Sequence, residues 1–357
     1  MLNLTRRNAL LTAACAGAAF GLPKPVSFIE AALAQKGPEA GKGFRPFKFG
    51  KVQGFILNDG VWEKPHEPGF IKNASVEETK AALAAAGIAN DVLPIPFNVT
   101  LVKFGNETVL FDAGTGGQFQ PTAGAMIANM AAAGIKSEQI TRVIVSHFHP
   151  DHVFGLMSKA PDNTPVFPNA VVYVPSNEYK FWMDESIFTK LPEKQHGLPK
   201  RLQAMFPLLK DKLKQYEWDT EIIPGIRSIA APGHTPGHTA FHVASGNEQL
   251  MVLSDTTNMP ALFAKHPDWH GVVDADPVLA EATRRKLFDR VVSDKALITG
   301  YHFPFPAVGK IVADGAGYTF VPAAKLKRRT RKRPSVPNRW LFSTGYPFST
   351  VFPSNSE

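Results

Sequence analysis

Arg142-Val143-Ile144-Val145-Ser146 is a short β-branched apolar run that ends directly in His147-Phe148-His149-Pro150-Asp151-His152, where three imidazoles and a carboxylate fall within six residues. A run of that length and branching suits a buried strand. Sites in α/β folds gather where strands end and loops are free to vary, which places the histidine cluster at such an end.

The same pattern recurs along the chain. Phe97–Phe104 and Thr108–Asp112 flank Gly105-Asn106 and read as a hairpin, followed by the flexible loop Asp112-Ala113-Gly114-Thr115-Gly116-Gly117. Thr122–Ala133 has helical spacing and stops at Gly134. Ala170–Val174 reads as strand, Asn177–Met183 as helix, and a longer helical segment falls within Lys200–Lys214. Ile226–Ala230 is a strand leading into Pro232-Gly233-His234. Thr239–Ala244 and Gln249–Ser254 flank Gly246-Asn247 as a second hairpin that delivers Asp255. Asp276 and Pro277 cap a helix running to about Val292, and Ala296–Thr299 is a short strand that delivers His302. Residues 35–95, rich in Pro and Gly, read as an irregular arm or lid with one strand at Val52–Leu57. Two halves, each with a hairpin, strands and helices, predict stacked sheets with helices outside.

An apolar fraction of 44% and 26 phenylalanines supply a large core for one catalytic domain over 35–322. No apolar run in that body is long enough to span a bilayer. The N-terminus reads Thr5-Arg6-Arg7-Asn8-Ala9-Leu10-Leu11, an apolar stretch to Leu22, then Ala32-Leu33-Ala34 before Gln35. Paired arginines there resemble a twin-arginine export signal over 1–34, cleaved after Ala34, with a periplasmic or secreted product. An ordinary secretory signal or a buried first helix is the alternative. The one cysteine, Cys15, falls in that segment, so the mature chain would have neither a disulfide nor a thiolate ligand. Much of the +8 net charge sits between Lys325 and Arg333. Such a run can bind polyanions. No base-reading motif accompanies it, which favours a disordered, solvated tail over 323–357 and no specific nucleic-acid partner.

On the loop after the strand, side chains at i and i+2 can converge on one cation while the next acid and histidine turn toward a second. Imidazole and carboxylate suit zinc, manganese, iron or cobalt, and a closed cysteine-type site is excluded. His234, Asp255 and His302 each follow their own apolar run. Independent arrival of acids and imidazoles at strand ends points to a metal site.

Together, His-x-His-x-Asp-His at 147–152, Gly-His-Thr-Pro-Gly-His at 233–238, Asp255 and His302 resemble the hydrolases of the metallo-β-lactamase fold, over about residues 45–322. Phe111-Asp112-Ala113-Gly114, Pro224-Gly225-Ile226 and Gly317-Tyr318-Thr319-Phe320-Val321-Pro322 are similar to the methyl parathion hydrolase group and its lactonase relatives. The resemblance implies an α/β fold of αββα type, two mixed β-sheets packed together with helices outside. It also implies two divalent metal ions per chain, zinc foremost with manganese, cobalt or iron as alternatives. His147, His149 and His234 would hold one, Asp151, His152 and His302 the other, and Asp255 would bridge them. Two such cations lower the pKa of a bridging water from about 15.7 toward 7, which supplies hydroxide without a serine or cysteine nucleophile. Asp255 or Asp151 would carry the proton to the leaving group. His238 and Asp112 fit residues that orient ligands. His66, His196, His242, His266 and His270 are set aside as non-ligands. Homodimers are frequent among such relatives, so a homodimer is an expectation of the resemblance alone.

The resemblance also suggests a substrate pocket with Phe119, Tyr179, His196 and Asn258, whose aromatic members favour neutral, apolar esters. The expected reaction is hydrolysis of a lactone or aryl ester, with organophosphate triesters as further substrates. Polar His196 and Asn258 stand where methyl parathion hydrolases carry an aromatic-rich mouth, which weakens the organophosphate part. Rival readings are another hydrolase of the superfamily, thioesterase or β-lactamase-like, and a non-catalytic metal- or polyanion-binding protein.

Overall fold

The computed structural model describes residues 43–323 of the 357-residue chain. The export segment expected over 1–34 and, beyond Ala323, the basic tail lie outside the described residues. Seven strands form the first sheet in chain order: β1 (Phe44–Phe49), β2 (Val52–Pro65), β3 (Val92–Phe104), β4 (Glu107–Phe111), β5 (Arg142–Ile144), β6 (Val171–Pro175) and β7 (Leu213–Tyr216). It is antiparallel from β1 to β4 and parallel from β4 to β7. The second sheet holds β8 (Glu221–Ile223), β9 (Ile226–Ala230), β10 (Thr239–Ser245), β11 (Glu248–Val252), β12 (Leu297–Thr299), β13 (Val308–Asp314) and β14 (Gly317–Pro322). Only its β11–β12 pair is parallel.

The α-helices are α1 (Val76–Ala85), α2 (Met126–Ala132), α3 (Pro150–Val153), α4 (Ser176–Met183), α5 (Ile187–Lys190), α6 (Gly197–Met205), α7 (Pro260–Phe263) and α8 (Pro277–Ser293). Three apolar layers make the expected αββα sandwich. Val102, Val109, Phe111 and Ile144 of the first sheet meet Phe241, Val243 and Leu250 of the second, with the rings of Phe111 and Phe241 5.1 Å apart. Leu83, Met130, Trp182 and Leu202 bring helices onto the outer face of the first sheet, and Leu287, Phe288 and Val291 of α8 cover the second. Because strands β3 and β5 lie between layers, their apolar residues run on without alternating, as buried strands do. No helix among the described residues is long and apolar enough to cross a membrane.

One local expectation needs correction and others are refined. Residues 35–95 are not an irregular arm where described: they hold β1, the 14-residue β2, α1 and the start of β3. Gly60 sits inside β2 because the strand bulges between Asn58 and Gly60 (φ 135°), which lies so close to Thr122 that a Cβ would meet its carbonyl oxygen at 2.2 Å, and Pro65 ends the strand. Helix α1 starts on a capping box of Ser75 and Glu78. The helical segment expected within 200–214 is present: α6 ends at Met205, since Pro207 lacks the amide needed to continue it, a 3₁₀ stretch follows over Phe206–Lys212, and the chain turns through Lys210 (φ 49°) into β7. Finally, β13 and β14 form a terminal hairpin that the pattern alone did not mark as strands. Asp276 does cap α8 as expected, its side chain accepting from the Leu279 amide at 3.0 Å behind Pro277.

Candidate metal centre

Strands β4, β5, β9, β11 and β12 all finish at one edge of the sandwich, and the segment after each carries a polar group of the site. After β5 come His147 and His149. Pro150 then opens α3, a single turn that directs Asp151 and His152 inward. After β9, β11 and β12 come His234, Asp255 and His302.

These seven side chains converge in two groups: His147, His149, His234 and Asp255 in one, Asp151, His152 and His302 in the other, with the ligating atoms of each group within 4.8 Å of one another. In the first, His149 Nδ1 lies 3.0 Å from His147 Nε2 and 2.9 Å from His234 Nε2. Asp255 reaches both groups: Oδ2 is 3.3 Å from His234 Nε2 and 2.9 Å from His302 Nε2, while Oδ1 is 3.2 Å from His152 Nε2. Asp151 Oδ2 stands 3.4 Å from His152 Nε2 and 3.5 Å from His302 Nε2.

Each inward-facing Nε2 is paired with a ring Nδ1 that has an acceptor behind it. His152 Nδ1 lies 2.9 Å from Asp112 Oδ2, His234 Nδ1 2.9 Å from Asp274 Oδ1, and His302 Nδ1 2.9 Å from the carbonyl of Pro96. His147 Nδ1 lies 2.9 Å from Ser146 Oγ, whose own proton goes to Asp112 Oδ2, also 2.9 Å away. With the Nδ1–H donated outward, the lone pair of each Nε2 points into the centre, the arrangement that metal-binding histidines use. The buried His152 Nε2 and Asp255 Oδ1 have no hydrogen-bond partner of their own. Buried polar atoms are nearly always satisfied, and a cation between these would satisfy both. The residues present therefore fit a pair of divalent cations.

Charge in the cluster is set by the same neighbours. Burial, with the neighbouring His234, holds His149 down at about 3, and the same pair of causes holds His238 at about 3. Burial also works against charge on His234, but the carboxylates of Asp255 and Asp274 outweigh it and push the group up to about 9. Burial opposes ionisation of Asp255, yet His302 and His152 hold its carboxyl well below the usual carboxylate range.

His238, expected to orient a ligand, is fully buried and fixes Asp255 through the backbone: Nδ1 donates to the carbonyl of Ala231 at 2.9 Å and Nε2 accepts the Asp255 amide at 3.0 Å. Asp112 (φ 65°) accepts the Ser146 amide at 2.7 Å besides its bonds to Ser146 Oγ and His152, so one carboxylate orients a histidine of each group. Asp274 has no mark in the sequence, where it stands next to the cap of α8 and reads as part of it. In the fold it is held by the buried Arg284 at 3.4 Å and aligns His234. Asn98 is equally hidden: its side chain donates to the carbonyls of Tyr301 and Phe303 at 3.2 and 2.8 Å and so fixes the turn that carries His302.

A cleft of about 600 Å³ opens onto His149 and His234, walled by Phe181, Trp182, Leu191, Leu198 and Val272. A second, of about 670 Å³, runs past Pro150 along Phe119, Phe154, Lys159 and Arg201, and shares Gly197 and Leu198 with the first. Of the four residues expected in the pocket, Phe119 lines this second cleft, one ring removed from His302 through Phe97. The other three line neither. Tyr179 packs on Phe206, because residues one apart on a helix are turned by about 100° and Glu178 and Trp182 take the side of α4 that faces the site. His196 is engaged by the carbonyl of Leu191 at 2.9 Å and the ring of Phe188. Asn258 is half-buried beyond Asp255. None of the five histidines set aside enters either group among the described residues.

The family model for the metallo-beta-lactamase superfamily matches residues 94–302, more than half of the chain. The chain belongs to the metallo-beta-lactamase superfamily. Among solved members it is similar to AidC, a dizinc quorum-quenching lactonase in complex with the product N-hexanoyl-L-homoserine, at 31% identity and a TM-score of 0.73 over 78% of this chain and 97% of that one. It is similar as well to the hydrolase AbOPH, at 28% identity and a TM-score of 0.73 over 79% and 97% of the two chains. An N-acyl homoserine lactonase of Bacillus cereus is 25% identical over 166 residues, 46% of this chain and 56% of that protein, so the chain spans about half the length of the curated relatives it matches. Two donor groups sharing one aspartate, within a superfamily that includes a dizinc lactonase, indicate a dinuclear metal site.

Proposed function

We propose that this superfamily member opens the ring ester of a lactone carrying an apolar acyl substituent, with zinc at both positions. The observation that carries the reading is the meeting of two donor groups on Asp255, beside an apolar cleft onto which His149 and His234 open. The likeness to AidC, with its two zinc ions and acyl-homoserine product, supports both the metal and the bond. His147, His149 and His234 would hold one cation and Asp151, His152 and His302 the other, which would supply water of near-neutral pKa and polarisation of the carbonyl under attack.

The chain's own residues do the rest. Phe181, Trp182 and Leu198 take the acyl chain out of water and hold the ester against His149 and His234. Asp255 sets the spacing of the two groups. Asp151 is ionised despite burial, because His152 and His302 lower its pKa, and it carries the proton from the attacking water to the departing alkoxide. Aryl esters and organophosphate triesters present the same kind of polarised oxygen and are secondary substrates on this reading. The paired arginines Arg6 and Arg7 support an exported location for the enzyme on this reading.

Purified protein assayed on an N-acyl homoserine lactone, an aryl ester, a phosphotriester and a β-lactam tests this directly. Lactone turnover should be the fastest, vanish on chelation, and return with zinc, manganese or cobalt. Two bound metals per chain with no turnover of any of the four would overturn it.

A further inference from the structure

Glu178 on α4 is fully buried, yet it stands outside both donor groups. Its Oε1 accepts the amide of Phe148 at 3.1 Å and the indole N–H of Trp182 at 2.7 Å, and its Oε2 accepts the amide of Gly237 at 2.7 Å. Phe148 lies between His147 and His149. Gly237 closes the turn that begins at His234, and it must be glycine: a Cβ there would come within 2.2 Å of the Glu178 backbone nitrogen. Trp182, one turn along α4, is a wall of the cleft beside His149 and His234.

Burying a carboxylate costs several kcal/mol unless its lone pairs are matched, and a hydrophobic residue of similar size would fill the space without that cost. What the carboxylate adds is acceptance on both oxygens. A glutamine can match only one side, since its amide nitrogen must face either the Gly237 N–H or the Phe148 and Trp182 donors.

We propose that Glu178 is a positioning residue that clamps the two loops bearing His147, His149 and His234 and ties them to the cleft wall through Trp182, so that one side chain sets both the affinity of the first metal position and the shape of the acyl pocket. The clamp rests on the metal-dependent reading above and adds that the loops are ordered before any metal binds.

Zinc titration against a competing chelator tests it in three proteins. In Glu178→Gln one of the two zinc ions should bind about 10- to 100-fold more weakly, the range for residues that orient ligands, while the other keeps its wild-type affinity. Trp182→Phe removes only the indole donor: both zinc affinities should hold, and KM for a hexanoyl lactone should rise several-fold. Amide hydrogen exchange on the metal-free wild-type chain needs no variant to fold. The Phe148 and Gly237 amides should be protected before zinc is added. Equal zinc affinities in Glu178→Gln and wild type, or exchange of both amides at open-loop rates until zinc arrives, would overturn the clamp. A wild-type chain that takes up fewer than two zinc ions would sink the metal-dependent reading instead, and the exchange experiment would still judge the clamp.

Discussion

The two sheets supply the same centre by different means. The first delivers His147, His149, Asp151 and His152 from one continuous stretch after β5, and the strand end beside it provides Asp112, which orients a histidine of each group. The second delivers His234, Asp255 and His302 singly, from three strand ends, and each needs its own distant tether: Asp274 for His234, His238 for Asp255, and Pro96 with Asn98 for His302. A contiguous cluster shares its supports, whereas dispersed ligands are only as well placed as the separate contacts behind them. Loss of Asp112, the support that the contiguous stretch shares, should therefore spread to both metal positions, and loss of the second sheet's tethers should stay local.

Asp255 is the exception, since its carboxylate faces both groups, and it sets the largest expected effect. Asp255→Ala should lower kcat/KM on the preferred lactone by about 10³-fold, or roughly 4 kcal/mol of transition-state stabilisation, and reduce bound metal at both positions. Steady-state kinetics with metal analysis on the same sample checks this, and loss of a single metal would break the bridge.

Asp112→Asn and Asp274→Asn set the shared support against the single one. Each places an amide N–H where a histidine Nδ1–H must donate, which turns the ring proton toward the centre. About 100-fold loss of metal affinity is expected for Asp112→Asn, felt at both positions, and about 10-fold for Asp274→Asn, confined to one. Competitive zinc titration resolves the two sites, and equal confinement in both variants would remove the contrast between the sheets.

The smallest effect belongs to Asn98→Ala. It leaves the carbonyl of Phe303 without its donor, while that of Tyr301 keeps the backbone amide of residue 98, and should cost about 1–3 kcal/mol of stability in denaturant melts, with only a few-fold loss of rate.

The same contrast explains what was legible in the sequence. The His147–His152 loop could be read because its residues are neighbours, and Asp255 and His302 because each follows an apolar run. The hairpins at Gly105-Asn106 and Gly246-Asn247 and the cap at Asp276 were equally local. Asp274, Glu178 and Asn98 act across 30 to 205 residues of chain, from positions whose sequence surroundings look like a cap, a helix surface and a strand. Reading 35–95 as irregular has a related cause: Gly60 in β2 answers to a bulge against Thr122 far along the chain, which local spacing does not reveal. Tyr179 packs on Phe206, and which face of α4 meets the site is not a local property of the sequence.

A crystal structure of the zinc-loaded protein with anomalous data at the zinc edge tests the central claim most directly. Two peaks are predicted, one among His147, His149 and His234 and the other among Asp151, His152 and His302, with one Asp255 oxygen coordinated to each. A single peak, or two peaks with Asp255 bound to only one of them, would contradict a centre shared between the two sheets.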